Sequence, residues 1–270
     1  MPINTAQLRP VVIDDLIRVG RANDGGYVLP KRVVAGCTHL VSYGINTDWS
    51  FERGVRRLNP GVVIHAYDHT LKGSLLLEHF AKSWAKAILC AVRLRFHEAF
   101  KNLIETARFI DYRIFFTGPN THFRQRVWYG NVRNSITVRE TIEKISRDKK
   151  ILLKIDIEGS EYRIIDDILA IDQNVIGFIV EFHGIDIVDE KFNRIIGSIK
   201  KTFYIAHIHG NNYGDLTPVE NFPDTIEIVF INRRLLENKP EPSTRPYPIE
   251  GLDQPNNPDE PDFPLVFAAS

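Results

Sequence analysis

The chain has 270 residues, enough for one large domain that sustains its own core. Its 34 basic and 34 acidic residues cancel, which excludes recruitment to nucleic acid or an anionic membrane by an overall field. Cys37 and Cys90 form no CxxC pair, Met1–Pro10 lacks a leader-like apolar run, and nothing nears the roughly 20 apolar residues of a membrane span; disulfide frameworks, structural zinc and membrane spans drop out, and a cytoplasmic setting is expected.

In chain order, the first apolar run is His39–Gly44, followed by helical spacing over Asp48–Leu58. Val62–Tyr67 is a second strand ending at Asp68, and Leu71–Phe109 reads as mostly helical. Tyr112–Phe116 (YRIFF) is expected to be the third strand, stopped by Thr117-Gly118-Pro119-Asn120. Thr137–Ile145 is helical and opens on a capping box, Thr137 to Glu140. Ile151–Ile157 is the fourth strand, Ser160–Ile171 a helix, Val175–Phe182 the fifth strand and Glu190–Lys200 a helix. Phe203–Ile208 and Thr225–Ile231 are the sixth and seventh strands. Only turn-forming residues, Asn211–Pro223, separate them, so they are expected to pair antiparallel at the sheet edge. The alternation predicts an α/β fold with a mostly parallel sheet of about seven strands and an antiparallel edge strand.

Residues 1–239 read as one domain with an N-terminal lead-in, and residues 240–270 as a proline-rich tail. The tail is either a linker or a strap that lies across the domain. Phe123–Tyr129, with its basic and aromatic residues, reads as a packed loop, with a substrate wall as the alternative. The arginine-rich Arg93–Lys101 reads as a solvated helix face.

The chemistry gathers at strand ends. Gly44 ends the first strand, where a glycine allows close backbone approach to a ligand. Asp68 ends the second, the place from which a carboxylate accepts ribose hydroxyls in nucleotide-binding α/β domains. Lys154, Asp156 and Glu158 alternate with apolar residues and share one face of the fourth strand, where Lys154 is expected to pair with a neighbouring carboxylate. Glu181 and His183 end the fifth strand, and His207 and His209 the sixth. Titratable groups this dense cost several kcal/mol each when buried unless paired, so convergence on one rim implies function. Carboxylate with imidazole suits a divalent ion or a general base.

LVSYGINTDWSFE, AYDHT, LLKIDIEGSEY, IVEFHG, HIHGNNY and LDQPNNP together resemble the FkbM-type methyltransferases, relatives of the class I S-adenosylmethionine-dependent fold. The resemblance runs from about Val19 to about Pro258 and includes NDGGYVLP (Asn23–Pro30). It implies a Rossmann-like class I methyltransferase sheet, the cofactor S-adenosyl-L-methionine, and methyl transfer to a hydroxyl of a sugar or other small-molecule acceptor. It places Tyr43, Gly44, Asn46, Asp68 and Asp156 around the cofactor, Gly44 beneath its methionine part, Asp68 on the ribose and Asp156 beside the sulfonium. Asp156, Glu158, His183 and His209 become the candidate catalytic residues. Asp156, Glu181, His183 and His209 become the candidate ligands of a divalent metal ion. Two departures stand out: the first strand lacks the usual run of glycines, and Thr117-Gly118 stands where relatives carry an acidic group near adenine. Two other functions use the same residues, a metal-dependent hydrolase and a non-catalytic glycan-binding protein.

Overall fold

The computed structural model describes residues 2–92, 107, 110–130, 132–145 and 148–268. Before the central sheet, strands β1 (Leu16–Gly20) and β2 (Gly26–Pro30) form an antiparallel hairpin that the apolar runs did not announce. Its turn is legible afterwards: Asn23 and Gly25 take the positive φ that NDGG favours. Helix α1 (Lys31–Gly36), strand β3 (His39–Tyr43), helix α2 (Ser50–Leu58) and strand β4 (Val63–Tyr67) follow, then helix α3 (Gly73–Val92). The Arg93–Lys101 stretch lies outside the described residues.

The YRIFF expectation is overturned. Residues 110–115 are helical, and the third strand of the sheet is β5 (Asn120–Phe123), parallel to β4. Tyr112 and Phe116 stand one helical turn apart, and both pack on Trp49 at ring separations of 5.5 and 6.1 Å. Aromatic density suggested a strand, but the i, i+4 spacing decided otherwise. Thr117-Gly118 therefore precedes the third strand, and the position after it belongs to Arg124-Gln125.

The chain continues through the short strands β6 (Arg126–Val127) and β7 (Ser135–Ile136) to helix α4 (Val138–Glu143). There Thr137 and Glu140 complete the capping box reciprocally. Strand β8 (Ile151–Ile155), a short 3-10 turn over Glu161–Arg163, helix α5 (Ile165–Leu169), strand β9 (Val175–Phe182), helix α6 (Asp189–Ile199), and strands β10 (Phe203–Gly210) and β11 (Ile226–Asn232) complete the order.

Seven strands form one sheet in the order β10-β11-β9-β8-β3-β4-β5. All neighbours from β5 to β9 are parallel, and β11 runs against both β9 and β10. β10 and β11 are thus the antiparallel pair at one edge, with the reversed strand second from the rim. Only a turn connects them, because no helix returns the chain to the far end of the sheet.

Strand alternation divides the core. Tyr43, Leu153, Ile155, Val180 and Ile228 pack with Val138, Ile165, Phe192 and Ile196 from α4, α5 and α6. Leu40, Ile64, Leu152, Ile179 and Val229 pack on the other face with Tyr27, Leu29, Val33, Phe51 and Val55 from the hairpin, α1 and α2. At about 25 cal/mol per Å² of apolar surface removed from water, such doubly covered strands are the main stabilising element.

The tail is docked. Ser243 N donates to Pro10 O at 2.8 Å, Leu265 N donates to Tyr247 O at 2.8 Å, and Tyr247 and Leu265 are buried in the first core. No described helix is long and apolar enough to cross a membrane.

Candidate functional site

From β3 the chain moves to β4 and β5 on one side, while β8 lies on the other, so the sheet order reverses between β3 and β8. Ligands of open α/β sheets bind in the crevice beyond the strand ends at such a point. Here a cavity of about 980 Å³ opens, lined by the loop Gly44–Asp48, by Asp68–Thr70, Gln125–Val127, Lys154 and Asp156–Glu158, and by Glu181, His183 and Asn211. The hairpin turn closes one side with Arg21, Asp24 and Tyr27.

Gly44 sits at φ +76°, and a Cβ there would stand 1.7 Å from Asp156 O. The glycine is therefore required by the crossing of two strand ends, whatever occupies the cavity. Asp68 is similarly committed to the scaffold. Its Oδ2 accepts from Ile45 N (3.0 Å) and Asn46 N (2.7 Å), and its Oδ1 from Thr70 N (2.7 Å), Thr70 Oγ1 (2.6 Å) and Leu71 N (3.3 Å). Burial opposes its charge, but these donors outweigh burial and hold its pKa below the usual carboxylate range. Asp68 thus shapes the loop around Asn46, which itself reaches the cavity in a left-handed conformation at φ +42°.

Tyr43 does not reach the cavity. Alternation turns it to the α4 face, where it is fully buried and its hydroxyl meets Thr141 Oγ1 at 2.6 Å.

Lys154 behaves as a structural partner. Its ammonium donates to Gly44 O at 2.7 Å and to Asp156 Oδ2 at 3.3 Å. Burial disfavours the ammonium, but the carboxylates of Asp156, Glu52 and Glu181 raise its pKa. Asp156 follows Ile155 at the end of β8. The positive φ of Glu158 (+54°) and Gly159 (+86°) then projects the Glu158 side chain, 84% exposed, back over the opening.

His183 completes this corner. Asp156, Glu158 and His183 each offer one ligand atom within 4.8 Å of the others, so these three could hold a divalent cation. The imidazole is held from behind by Glu161, whose fully buried carboxylate accepts from His183 N at 2.9 Å and faces Nδ1 at 3.1 Å. Nε2 points toward Glu158 (3.6 Å) and Glu181 (3.9 Å). Burial disfavours the imidazolium, yet the Glu161 hydrogen bond and the charges of Glu181, Glu161 and Asp156 prevail and lift its pKa to about 9. Glu181 moves the same way: burial, then Asp156 and Glu227, push its carboxyl well above the usual range, against the pull of His183 and of Asn211 Nδ2 at 2.6 Å.

His209 does not join this group. Register sets Glu181 opposite Glu227, and Glu227 opposite His209, on three neighbouring strands, with Asp156 at the end of the next strand over. Strands lie roughly 4.8 Å apart, so the rim is a row across the sheet rather than a point. At its far end His209 is engaged by Asp262 of the tail (2.9 Å) and by Glu227 (3.6 Å), and it is absent from the cavity lining. Burial alone would lower its pKa, but these partners raise it to about 10. His207 is likewise paired with Asp253 at 3.0 Å, and Asn256 Nδ2 donates to Glu227 at 2.8 Å. The tail thus supplies partners to the buried His207, His209 and Glu227 of β10 and β11. Glu181 lines the cavity but lies outside the three-residue cation cluster.

Glu161, Glu227, Asp24 and Asp48 were not singled out from sequence. Only Glu161 carried a signal, as the last acidic residue of KIDIEGSEY.

No family model matches the chain, and no curated protein matches its sequence. Solved structures with a similar backbone include the pre-rRNA processing protein fibrillarin of Methanococcus jannaschii, with 10% identity, a TM-score of 0.37, and 74% of this chain and 68% of that chain covered. Precorrin-6y C5,15-methyltransferase of Geobacter metallireducens matches with 10% identity and a TM-score of 0.36, covering 75% and 88%. A predicted O-methyltransferase of Agrobacterium tumefaciens matches with 8% identity and a TM-score of 0.32, covering 76% and 81%. Overlaps this loose carry no argument about activity, which rests on the site.

Proposed function

We propose that this protein is an S-adenosylmethionine-dependent O-methyltransferase acting on a hydroxyl of a sugar or related small molecule. The observation that carries the reading is an acidic cavity at the switch point of the sheet, in which His183, fixed by buried Glu161, faces Glu158 and Glu181. Asp24, Asp48, Asp68, Asp156, Glu158 and Glu181 outnumber the lining cations Arg21, Arg126, Lys154 and His183. A positively charged sulfonium fits such a lining, and the volume admits a nucleoside cofactor with an acceptor beside it. The motifs KIDIEGSEY and AYDHT, which carry the FkbM resemblance, both border this cavity.

When bound, the cofactor supplies the electrophilic methyl group. The protein's part is orientation and proton removal. The Gly44–Asp48 loop, held by Asp68, and Asp156 would border the cofactor. In its neutral form, which becomes the major one only above about pH 9, His183 accepts the hydroxyl proton of the acceptor at Nε2, while Nδ1 stays on Glu161 and the ring keeps its orientation. Glu158 and Glu181 stabilise the resulting imidazolium.

A second reading is kept by the cation cluster of Asp156, Glu158 and His183. A divalent ion held there would lower the pKa of a bound hydroxyl or water, serving either a metal-assisted transferase or a hydrolase. Calorimetry with S-adenosylhomocysteine, followed by labelled-methyl transfer to a panel of sugars, separates these. Saturable binding and transfer support the proposal. A folded protein that does not bind S-adenosylhomocysteine sinks it.

A further inference from the structure

The cations that line the cavity differ in their company. Arg21 is paired with Asp24 and Asp48, and Lys154 with Asp156. Arg126 lines the same cavity, is exposed, and has no carboxylate within ion-pair distance among the described residues. Its guanidinium instead lies 3.8 Å from the centroid of the Trp128 ring. A second guanidinium, that of Arg163, lies 5.2 Å from the same ring and 5.3 Å from Tyr129, whose hydroxyl accepts from it at 3.3 Å. Arg163 also lacks a carboxylate partner among the described residues. Two like charges lie over one indole ring, neither with a carboxylate partner among the described residues, and Arg126 connects this platform to the cavity lining.

Stacking leaves in-plane N–H donors on both guanidinium groups, of which Arg163 spends one on the Tyr129 hydroxyl, and the forked geometry of the rest matches an oxyanion. The indole face is spent on cations, so this wall offers donors rather than an apolar plate for a neutral sugar ring. The inner cavity is acidic and repels an anion, which sets the direction: the anionic group outward at the arginines, the hydroxyl inward at His183. We propose that Arg126 and Arg163, on the Trp128–Tyr129 platform, form a subsite for a phosphate ester on the acceptor. This deepens the O-methyltransferase reading and rests on it for the word acceptor. The subsite itself is a binding claim that stands apart.

The test is calorimetric and uses glucose 1-phosphate, glucuronate and glucose as probes, with S-adenosylhomocysteine titrated separately. Glucose 1-phosphate should bind more tightly than glucose. R163Q should weaken it about tenfold, and R126Q/R163Q further, as expected for lost charge-assisted hydrogen bonds. Both arginines are exposed, so melting temperature should hardly move and serves as the folding control. Equal affinity for glucose 1-phosphate and glucose overturns the subsite, as does a preference that survives the double substitution. Glucuronate binding as well as the phosphate would overturn its assignment to phosphate. If S-adenosylhomocysteine fails to bind while glucose 1-phosphate binds in an arginine-dependent way, the transferase reading falls and the subsite stands. The reverse pattern removes the subsite alone.

Discussion

The Glu161–His183 pair can be tested without knowing any substrate. An imidazole with a free pKa near 6.5 is lifted to about 9 in this fold. That difference corresponds to about 3 kcal/mol in favour of the imidazolium. One oxygen of Glu161 accepts from His183 N at 2.9 Å and faces Nδ1 at 3.1 Å. In Glu161→Gln the amide oxygen can keep the backbone bond, but the negative charge is gone. Hydrogen bonds to charged groups contribute about 1.5–3 kcal/mol, so the midpoint should fall by about one to two pH units. Ring resonances of His183, followed by NMR titration, should give a wild-type midpoint near 9 and a variant midpoint of about 7 to 8. The sign for stability follows. The folded pKa lies above the unfolded one, so this group's stabilisation is complete below about pH 6.5 and is lost as pH rises through about 9. Wild type should therefore lose more stability over that window than Glu161→Gln does. A wild-type midpoint near 6.5, or one that Glu161→Gln leaves in place, would refute the reasoning.

If His183 is the base, methyl transfer should rise with pH and level off above about 9, and His183→Ala should abolish the rise; a flat profile would remove it from that role. Gly44→Ala combines a left-handed φ with a Cβ 1.7 Å from Asp156 O and should cost about 2–5 kcal/mol in urea unfolding, whereas Gly159→Ala, with open space around it, should cost only about 1–2 kcal/mol. Similar losses for both would contradict the crossing at Gly44. Asp262→Asn should weaken the hold on His209 and speed cleavage of the tail after Glu250 by a glutamate-specific protease, with about 1–3 kcal/mol lost; unchanged proteolysis would mean the tail is held without that pair. Mn²⁺ binding followed by electron paramagnetic resonance should be lost in Glu158→Gln and persist in His209→Ala, and the opposite pattern would return His209 to the cluster.

What the sequence determined by itself was the alternation of strands and helices, and with it the kind of sheet. Doubly covered strands such as Leu152–Ile155 and Val175–Phe182 must be continuously apolar, so they are visible in one dimension. The absence of a helix between His209 and Thr225 likewise made β10 and β11 an antiparallel pair, because a short turn reaches only the adjacent, reversed strand. YRIFF was misread because a short aromatic run fits both periods, and only packing on Trp49 selects one. The charged strand ends were legible as a set, but their partners were not. His183 and His209 look alike in sequence, each following a glutamate-bearing or histidine-bearing strand end. Tertiary structure separates them: register displaces His209 along a row of strands, and a tail far away in sequence brings Asp262 to it, while a local turn brings Glu161 to His183. Tyr43 was decided in the same way, by the face it occupies, and the backbone amides that surround Asp68 were equally invisible in one dimension. A sequence states which groups are charged; which of them face a cavity and which face each other depends on register and on long-range packing, and neither is written locally.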